Sequence, residues 1–140
     1  MPRPTSALII DDEPHVRLLL AGVLKQLGVK SVWEAVDGAA GLAMVSAHKP
    51  GVVLLDINLP GPSGLQILEK VKAEQPGLPV VVISAQSTMR TMNRARDLGA
   101  HAFIVKYATK TEVTQALSDA LSKIGGDGAA EPAAEAPKAG

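Results

Sequence analysis

Short apolar runs alternate with amphipathic segments along this chain, from residue 7 to about residue 124. Buried parallel strands consist of continuous Val, Ile and Leu, and a helix that covers a sheet carries one apolar stripe. The alternation predicts an α/β domain, a doubly wound five-stranded parallel sheet with helices on both faces. The predicted strands cover residues 7–10, 31–35, 52–55, 80–84 and 101–105. The predicted helices cover residues 14–27, 38–48, 64–75, 88–98 and 110–123.

Residues at the predicted helix ends agree with this pattern. Pro14 suits the first position of a helix, and Ser63 can cap the third helix. Gly28 and Gly99 stand where the first and fourth helices would end. Local chemistry and periodicity therefore predict the same boundaries.

The composition argues against several classes of protein. Lys plus Arg and Asp plus Glu number 14 each, so no overall charge favours direct binding to nucleic acid or to an anionic membrane. Cysteine is absent, which removes disulfides and thiolate metal sites and suits a reducing compartment. No apolar stretch approaches the roughly 20 residues of a membrane span, and the first six residues lack the apolar core of a signal peptide. We therefore expect a cytoplasmic protein.

The domain boundary is predicted from a change in composition after Ile124. A chain of 140 residues suits one domain with one core, here residues 6–124. Residues 125–140 are rich in Ala, Gly and Pro and offer almost no apolar side chains for burial. This segment is predicted to be a disordered tail or the start of a linker.

Three carboxylates stand where buried strands are predicted to end. Asp11 and Asp12 follow the first apolar run, and Asp56 follows the third. Ligands of open α/β sheets bind outside the carboxyl ends of the strands, so these acids should converge on one site. Two like charges about 4 Å apart repel by roughly 4 kcal/mol at an effective dielectric of about 20, so the cluster requires a cation or a shifted protonation state. Oxygen ligands indicate Mg²⁺ or a similar hard metal.

A hydroxyl and an ammonium group end the next two strands, at Ser84 and Lys106. A carboxylate can attack phosphorus while Mg²⁺ and a lysine neutralise the phosphoryl oxygens. Taken singly, the acids could be turn formers, Ser84 a turn residue and Lys106 a solvated charge. Five such residues at the ends of four strands favour one shared site that accepts a phosphoryl group.

These residues resemble the receiver domains of bacterial two-component response regulators. The resemblance covers about residues 6–124, and four motifs carry it: Asp11-Asp12-Glu13, Leu55-Asp56-Ile57-Asn58-Leu59-Pro60-Gly61, Ser84-Ala85 and Lys106. It implies a flavodoxin-like sheet with strand order 2-1-3-4-5. It also implies that Asp56 accepts the phosphoryl group and that Asp11, Asp12 and Asp56 bind Mg²⁺, with Asn58 contributing its main-chain carbonyl.

The resemblance implies three further roles around the phosphoryl group. Ser84 would hydrogen-bond to it, Lys106 would pair with it, and Phe103 would be an aromatic switch that moves inward with Ser84. The protein would be a signalling phosphoacceptor and not an enzyme in the usual sense, although it would assist its own phosphorylation and dephosphorylation. Its phosphate would come from a sensor histidine kinase or a histidine phosphotransfer protein. An output protein or a second copy would bind the face formed by the fourth helix, fifth strand and fifth helix.

One departure from the family concerns Tyr107, which stands where most receivers have proline. A cis bond before a residue other than proline costs about 2.5–4 kcal/mol, so we expect the bond between Lys106 and Tyr107 to be trans. Residues 106–113 resemble the subgroup of receivers that precede a helix-turn-helix domain. The chain is then either a single-domain regulator or a receiver fragment of a DNA-binding transcriptional regulator.

Three other functions compete with this interpretation. A haloacid dehalogenase type phosphohydrolase would need a second acid two residues after the nucleophile, where this chain has Asn58. A flavodoxin-like nucleotide carrier would need a Ser, Thr and Gly-rich phosphate loop after the first strand, where Asp11-Asp12-Glu13 would repel phosphate. A receiver-like docking module that takes no phosphate is the strongest alternative, although every phosphorylation residue is present.

Overall fold

The computed structural model describes residues 4–59, 63–85, 88–106 and 109–124. The strands within these ranges are β1 (Ser6–Ile10), β2 (Ser31–Ala35), β3 (Val53–Asp56), β4 (Val80–Ser84) and β5 (Ala102–Val105). The helices that alternate with them are α1 (Pro14–Gln26), α2 (Gly38–His48), α3 (Gly64–Glu74), α4 (Met89–Asp97) and α5 (Lys110–Ser122). Each element agrees with its predicted bounds to within one residue at either end.

All neighbouring strands of the sheet are parallel, in the order β2-β1-β3-β4-β5. The chain runs from β1 out to the edge strand β2 and then returns to β3 on the other side of β1. This reversal of direction leaves a crevice outside the carboxyl ends of β1 and β3, where ligands of open α/β sheets bind. The predicted fold class and strand order are confirmed.

The alternating side chains of β1 divide the core into two layers. Ala7 and Ile9 pack with the buried faces of α1 and α5. Leu8 and Ile10 pack on the other face of the sheet with buried residues of α2, α3 and α4. Both layers cover β1, so its side chains from Ala7 to Ile10 have no exposed surface. The continuous apolar runs in the sequence therefore correspond to strands covered on both faces.

Local interactions mark the beginnings and the ends of the helices at the positions predicted from the sequence. Ser63 and Thr109 each cap a helix in a reciprocal capping box, so main-chain N–H groups of the first turn are satisfied. Pro14 occupies the first turn of α1. Gly28 and Gly99 have φ angles of 100°, a left-handed conformation that glycine adopts without steric cost.

In the described part of the chain, no helix combines the length and the apolar character needed to cross a bilayer. The predicted trans bond between Lys106 and Tyr107 and the predicted tail at residues 125–140 lie outside the described residues.

Candidate functional site

The carboxyl ends of four parallel strands bring polar side chains into one pocket. Among the described residues, the polar or charged ones that are buried are Asp11, Asp56, Ser84 and Lys106. They follow or end β1, β3, β4 and β5, respectively. Burying a charge is costly unless it is paired, so their shared location requires mutual contacts.

Lys106 is the centre of these contacts. Its Nζ donates to Oδ2 of Asp56 at 2.8 Å and also contacts a carboxylate oxygen of Glu13. Its side chain is 3% exposed, so its interpretation as a solvated charge is wrong. Burial by itself would lower the pKa of the ammonium, but hydrogen bonds with Asp56 and Glu13 and the charge of Asp11 outweigh it and raise that pKa. Lys106 therefore stays protonated and offers a fixed positive charge.

The two oxygens of the Asp11 carboxylate differ in their partners. Oδ1 accepts a hydrogen bond from the main-chain N–H of Glu13 at 2.8 Å. Oδ2 is buried and accepts no hydrogen bond within the described ranges, and Nζ of Lys106 lies 3.3 Å from it. Burial raises the pKa of Asp11, and the nearby charge of Asp56 adds to this increase. This buried oxygen has Lys106 as an ion-pair partner but no hydrogen bond in the described ranges, so it is suited to binding a metal ion.

A cluster of acids provides further oxygen ligands at the same place. One carboxylate oxygen from each of Asp11, Asp12, Glu13 and Asp56 lies within 4.8 Å of the others. Asp12 is exposed and Glu13 is partly exposed, so the cluster opens to solvent on one side. Oxygen ligands of this charge fit a hard divalent cation and explain how the repulsion between the acids could be relieved.

Glu13 is a site residue to which the sequence analysis assigned no role, although it stands in the motif Asp11-Asp12-Glu13. It occupies the N-cap position of α1, but its side chain makes no cap hydrogen bond and instead contacts Lys106. The only signal in the sequence was that Glu13 directly follows Asp12. A glutamate before a helix is ordinarily read as a favourable charge at the helix N-terminus.

The loop after β3 holds the other oxygen of the Asp56 carboxylate in place. Oδ1 of Asp56 accepts from the main-chain N–H of Asn58 at 2.8 Å. Oδ1 of Asn58 accepts from the Ser84 hydroxyl at 3.1 Å, which connects the ends of β3 and β4. Gly64 packs against this loop so closely that a Cβ atom there would lie 2.1 Å from the Cα of Ile57. Only glycine allows α3 to begin this near the site.

Phe103 lies on β5, away from the carboxylates and towards α4. It is partly buried, packs against the core layer shared by α2, α3 and α4, and pairs in register with Val82. Together with Met89, Met92 and other residues it lines a cavity of about 290 Å³ between α4 and β5. The ring thus has space beside it on the α4 side.

Comparison with known proteins gives consistent matches. A family model for the response regulator receiver domain matches residues 7–118. The transcriptional regulatory protein PdtaR of Mycobacterium tuberculosis is 32% identical over 121 residues, which cover 86% of this chain and 58% of PdtaR. The receiver domain of NarL from the same organism has a TM-score of 0.73 at 33% identity, covering 87% of this chain and 99% of that one. The receiver domain of NtrX from Brucella abortus has a TM-score of 0.74 at 34% identity, covering 84% and 98%.

The chain spans little more than half the length of the curated relatives that it matches, 58% of PdtaR and 56% of NarL.

Proposed function

Since the chain belongs to the response regulator receiver domain family, we propose that it accepts a phosphoryl group on Asp56 in a Mg²⁺-dependent reaction and thereby changes its partner-binding surface. The observation that carries this proposal is the placement of Asp56 between a main-chain N–H and an ammonium group, beside three other acids. The donor would be a sensor histidine kinase or a histidine phosphotransfer protein, and the reaction would take place in the cytoplasm.

The proposed chemistry is a displacement at phosphorus. A carboxylate oxygen of Asp56 attacks the phosphorus atom, and the bond between phosphorus and the donor's leaving group breaks. Lys106 stabilises the negative charge on the phosphoryl oxygens, because its ammonium already lies 2.8 Å from Asp56. The acyl phosphate that results is later hydrolysed, which returns Asp56 to its resting state.

The metal would be held by Asp11, Asp12 and Asp56, together with the main-chain carbonyl of Asn58. The buried Oδ2 of Asp11, which makes no hydrogen bond among the described residues, and the oxygen character of the cluster support this ligand set. When bound, Mg²⁺ offsets the repulsion between the acids and an anionic phosphodonor.

The response to phosphorylation would begin at Ser84. Its hydroxyl, which donates to Asn58 in this structure, would donate to the phosphoryl group instead. Movement of Ser84 at the end of β4 leaves Phe103 of the adjacent β5 free to repack beside α4. The face of α4, β5 and α5, including the exposed Arg90 and Arg94, would then bind an output partner or a second copy.

The receiver unit is proposed to cover residues 6–124, with residues 125–140 as a tail or linker. Of the relatives named above, PdtaR is called a transcriptional regulatory protein and NarL a probable one. By that likeness, the output of this receiver is proposed to be the control of transcription through a partner or a further domain.

The decisive test is incubation with acetyl phosphate and Mg²⁺, followed by intact mass spectrometry. We expect one added phosphoryl group on the parent, none on Asp56→Asn and none in excess EDTA. Asp119→Asn, which changes an exposed acid on α5, serves as the matched control and should be labelled like the parent. Labelling of Asp56→Asn, or labelling that resists EDTA, would refute the assignment. An unlabelled parent would instead favour a docking module without phosphorylation.

The proposed switch is tested by mapping amide shifts with beryllofluoride, a mimic of the phosphoryl group. We expect perturbations in the pocket and also across residues 88–105. Perturbations confined to the pocket would exclude transmission to the face of α4 and β5.

A further inference from the structure

Arg17 connects three elements at the rim of the acidic pocket. It lies in the first turns of α1, and its Nη1 donates to the main-chain carbonyl of Asp11 at 2.7 Å. Its Nε donates to Oε1 of Glu34 on the edge strand β2 at 3.1 Å. The Arg17 side chain is 13% exposed and that of Glu34 is 44% exposed, so the contact with the Asp11 carbonyl is the better shielded of the two. Arg17 is thus held between β2 and the end of β1.

The contact with Arg17 completes the hydrogen bonding of the Asp11 peptide. The N–H of Asp11 donates to the carbonyl of Ala35 at 3.1 Å, and the carbonyl of Asp11 accepts from Arg17. Oδ1 of its carboxylate accepts from the N–H of Glu13, which leaves Oδ2 as the oxygen without a hydrogen bond in the described part of the chain. These bonds hold the Asp11 peptide and Oδ1 of its carboxylate in place, and Oδ2 then lies beside Lys106.

We propose that Arg17 is a positioning residue, which orients the Asp11 carboxylate for a divalent cation by holding the Asp11 carbonyl. This inference rests on the proposed function, because it assumes that the acidic cluster binds Mg²⁺. Arg17 does not contact the cation, and it acts through the peptide of Asp11.

The direction in which cation affinity changes when Arg17 is removed distinguishes a positioning role from charge repulsion. A guanidinium near a cation site would weaken cation binding by repulsion, so its removal should strengthen that binding. Loss of an outer partner that orients a ligand should weaken binding instead. Glu34 pairs with Arg17 and compensates its charge locally, so removal of both residues leaves the net charge unchanged.

The experiment therefore uses the charge-neutral double variant Arg17→Gln/Glu34→Gln in the full chain. The dissociation constant for Mg²⁺ is measured by calorimetry and by amide shift titration. We expect it to rise about tenfold, as is typical when an outer partner of a metal ligand is lost. The amide signals of residues 11–13 should also move in the absence of metal, since the hydrogen bond to the Asp11 carbonyl is gone.

A matched control is available on α4, where Arg96 and Asp97 form an ion pair at 3.9 Å with both side chains 72% exposed. Arg96→Gln/Asp97→Asn removes the same types of charge far from the Asp11 peptide, and its Mg²⁺ affinity should equal that of the parent. A parent that binds no Mg²⁺ would refute the proposed metal site itself. If the parent binds Mg²⁺ and the Arg17→Gln/Glu34→Gln variant binds it equally well or more tightly, only the role of Arg17 is overturned.

Arg17→Lys provides the same test if the double variant fails to fold. One ammonium keeps the charge, but it lacks the planar geometry that lets Arg17 donate to Asp11 and Glu34 from separate nitrogens. We expect weaker Mg²⁺ binding than in the parent, and unchanged binding would overturn the proposal.

Discussion

The acidic pocket and helix α4 lie at neighbouring parts of the sheet but are held in place in different ways. In the pocket, both oxygens of Asp56 accept hydrogen bonds, from Asn58 and from Lys106. Among the nine residues of α4, Ala95 alone is buried, and Met89 is 71% exposed. Helix α3 belongs to the same core layer as α4 yet buries a full stripe of Ile67, Leu68 and Val71.

This difference indicates which helix a change of charge at Asp56 can displace. A group added at Asp56 must disturb a pocket whose hydrogen bonds are already made. A shift of α4 costs little, because α4 removes little apolar surface from water. A change in the pocket should therefore displace α4 more easily than α3.

The largest effect is expected from Leu68→Ala in α3. Leu68 is fully buried, so its truncation should lower the free energy of unfolding by about 2–5 kcal/mol through lost burial and a cavity. Urea denaturation followed by circular dichroism measures this loss. A loss below about 1 kcal/mol would mean that α3 is packed no better than α4.

Removal of the Lys106 charge should have the next largest effect. Lys106→Ala leaves the carboxylates of Asp56 and Glu13 without their shared partner, and breaking a buried pair typically costs about 3–5 kcal/mol. Because the pocket opens to solvent beside Asp12, we expect the free energy of unfolding to fall by about 3 kcal/mol in EDTA. It should recover in part when Mg²⁺ is added. The exposed Lys30→Ala is the control for denaturation midpoints. A Lys106→Ala variant as stable as the parent would show that these ion pairs contribute nothing.

A smaller effect of opposite sign is expected from Asp11→Asn. Since burial raises the pKa of Asp11 above 3.8, the folded protein binds a proton more tightly than the unfolded chain. Without metal, stability contributed by protonated Asp11 is therefore lost as the pH rises above that value. Asparagine cannot ionise, so the variant should be more stable than the parent at neutral pH in EDTA.

Thermal unfolding at several pH values tests this prediction. The stability difference between Asp11→Asn and the parent should shrink in acid, where Asp11 of the parent is also protonated. Mg²⁺ should stabilise the parent more than the variant. A destabilised variant in EDTA at neutral pH would contradict the raised pKa of Asp11.

The smallest effect is expected on α4 itself. Met89→Ala removes a side chain that is already mostly in water, so the free energy of unfolding should change by less than about 0.5 kcal/mol. Denaturation under the conditions used for Leu68→Ala gives a direct comparison of the two helices. A loss approaching that of Leu68→Ala would remove the contrast between α3 and α4.

Much of the fold and part of the site could be predicted because their signals are local. Each strand is a continuous apolar run, and each helix has its own stripe and end residues, so periodicity located all ten elements in the described part of the chain. The acids at the ends of β1 and β3 indicated a shared pocket because parallel strands end at the same edge of a sheet. Contacts with Glu13 and Arg17 could not be predicted, since they depend on how α1 leaves that edge.

Residues close together in the chain specify the five βα units and the kinds of side chain at the strand ends. Which of these groups are paired depends on how the strands and helices pack. Lys106 meets Asp56 across 50 residues, and Arg17 meets Glu34 across 17, only because of the strand order. The buried Lys106 must be paired because packing shields it from water, and its partners are the acids that the sheet places beside it. Local sequence patterns do not contain this information.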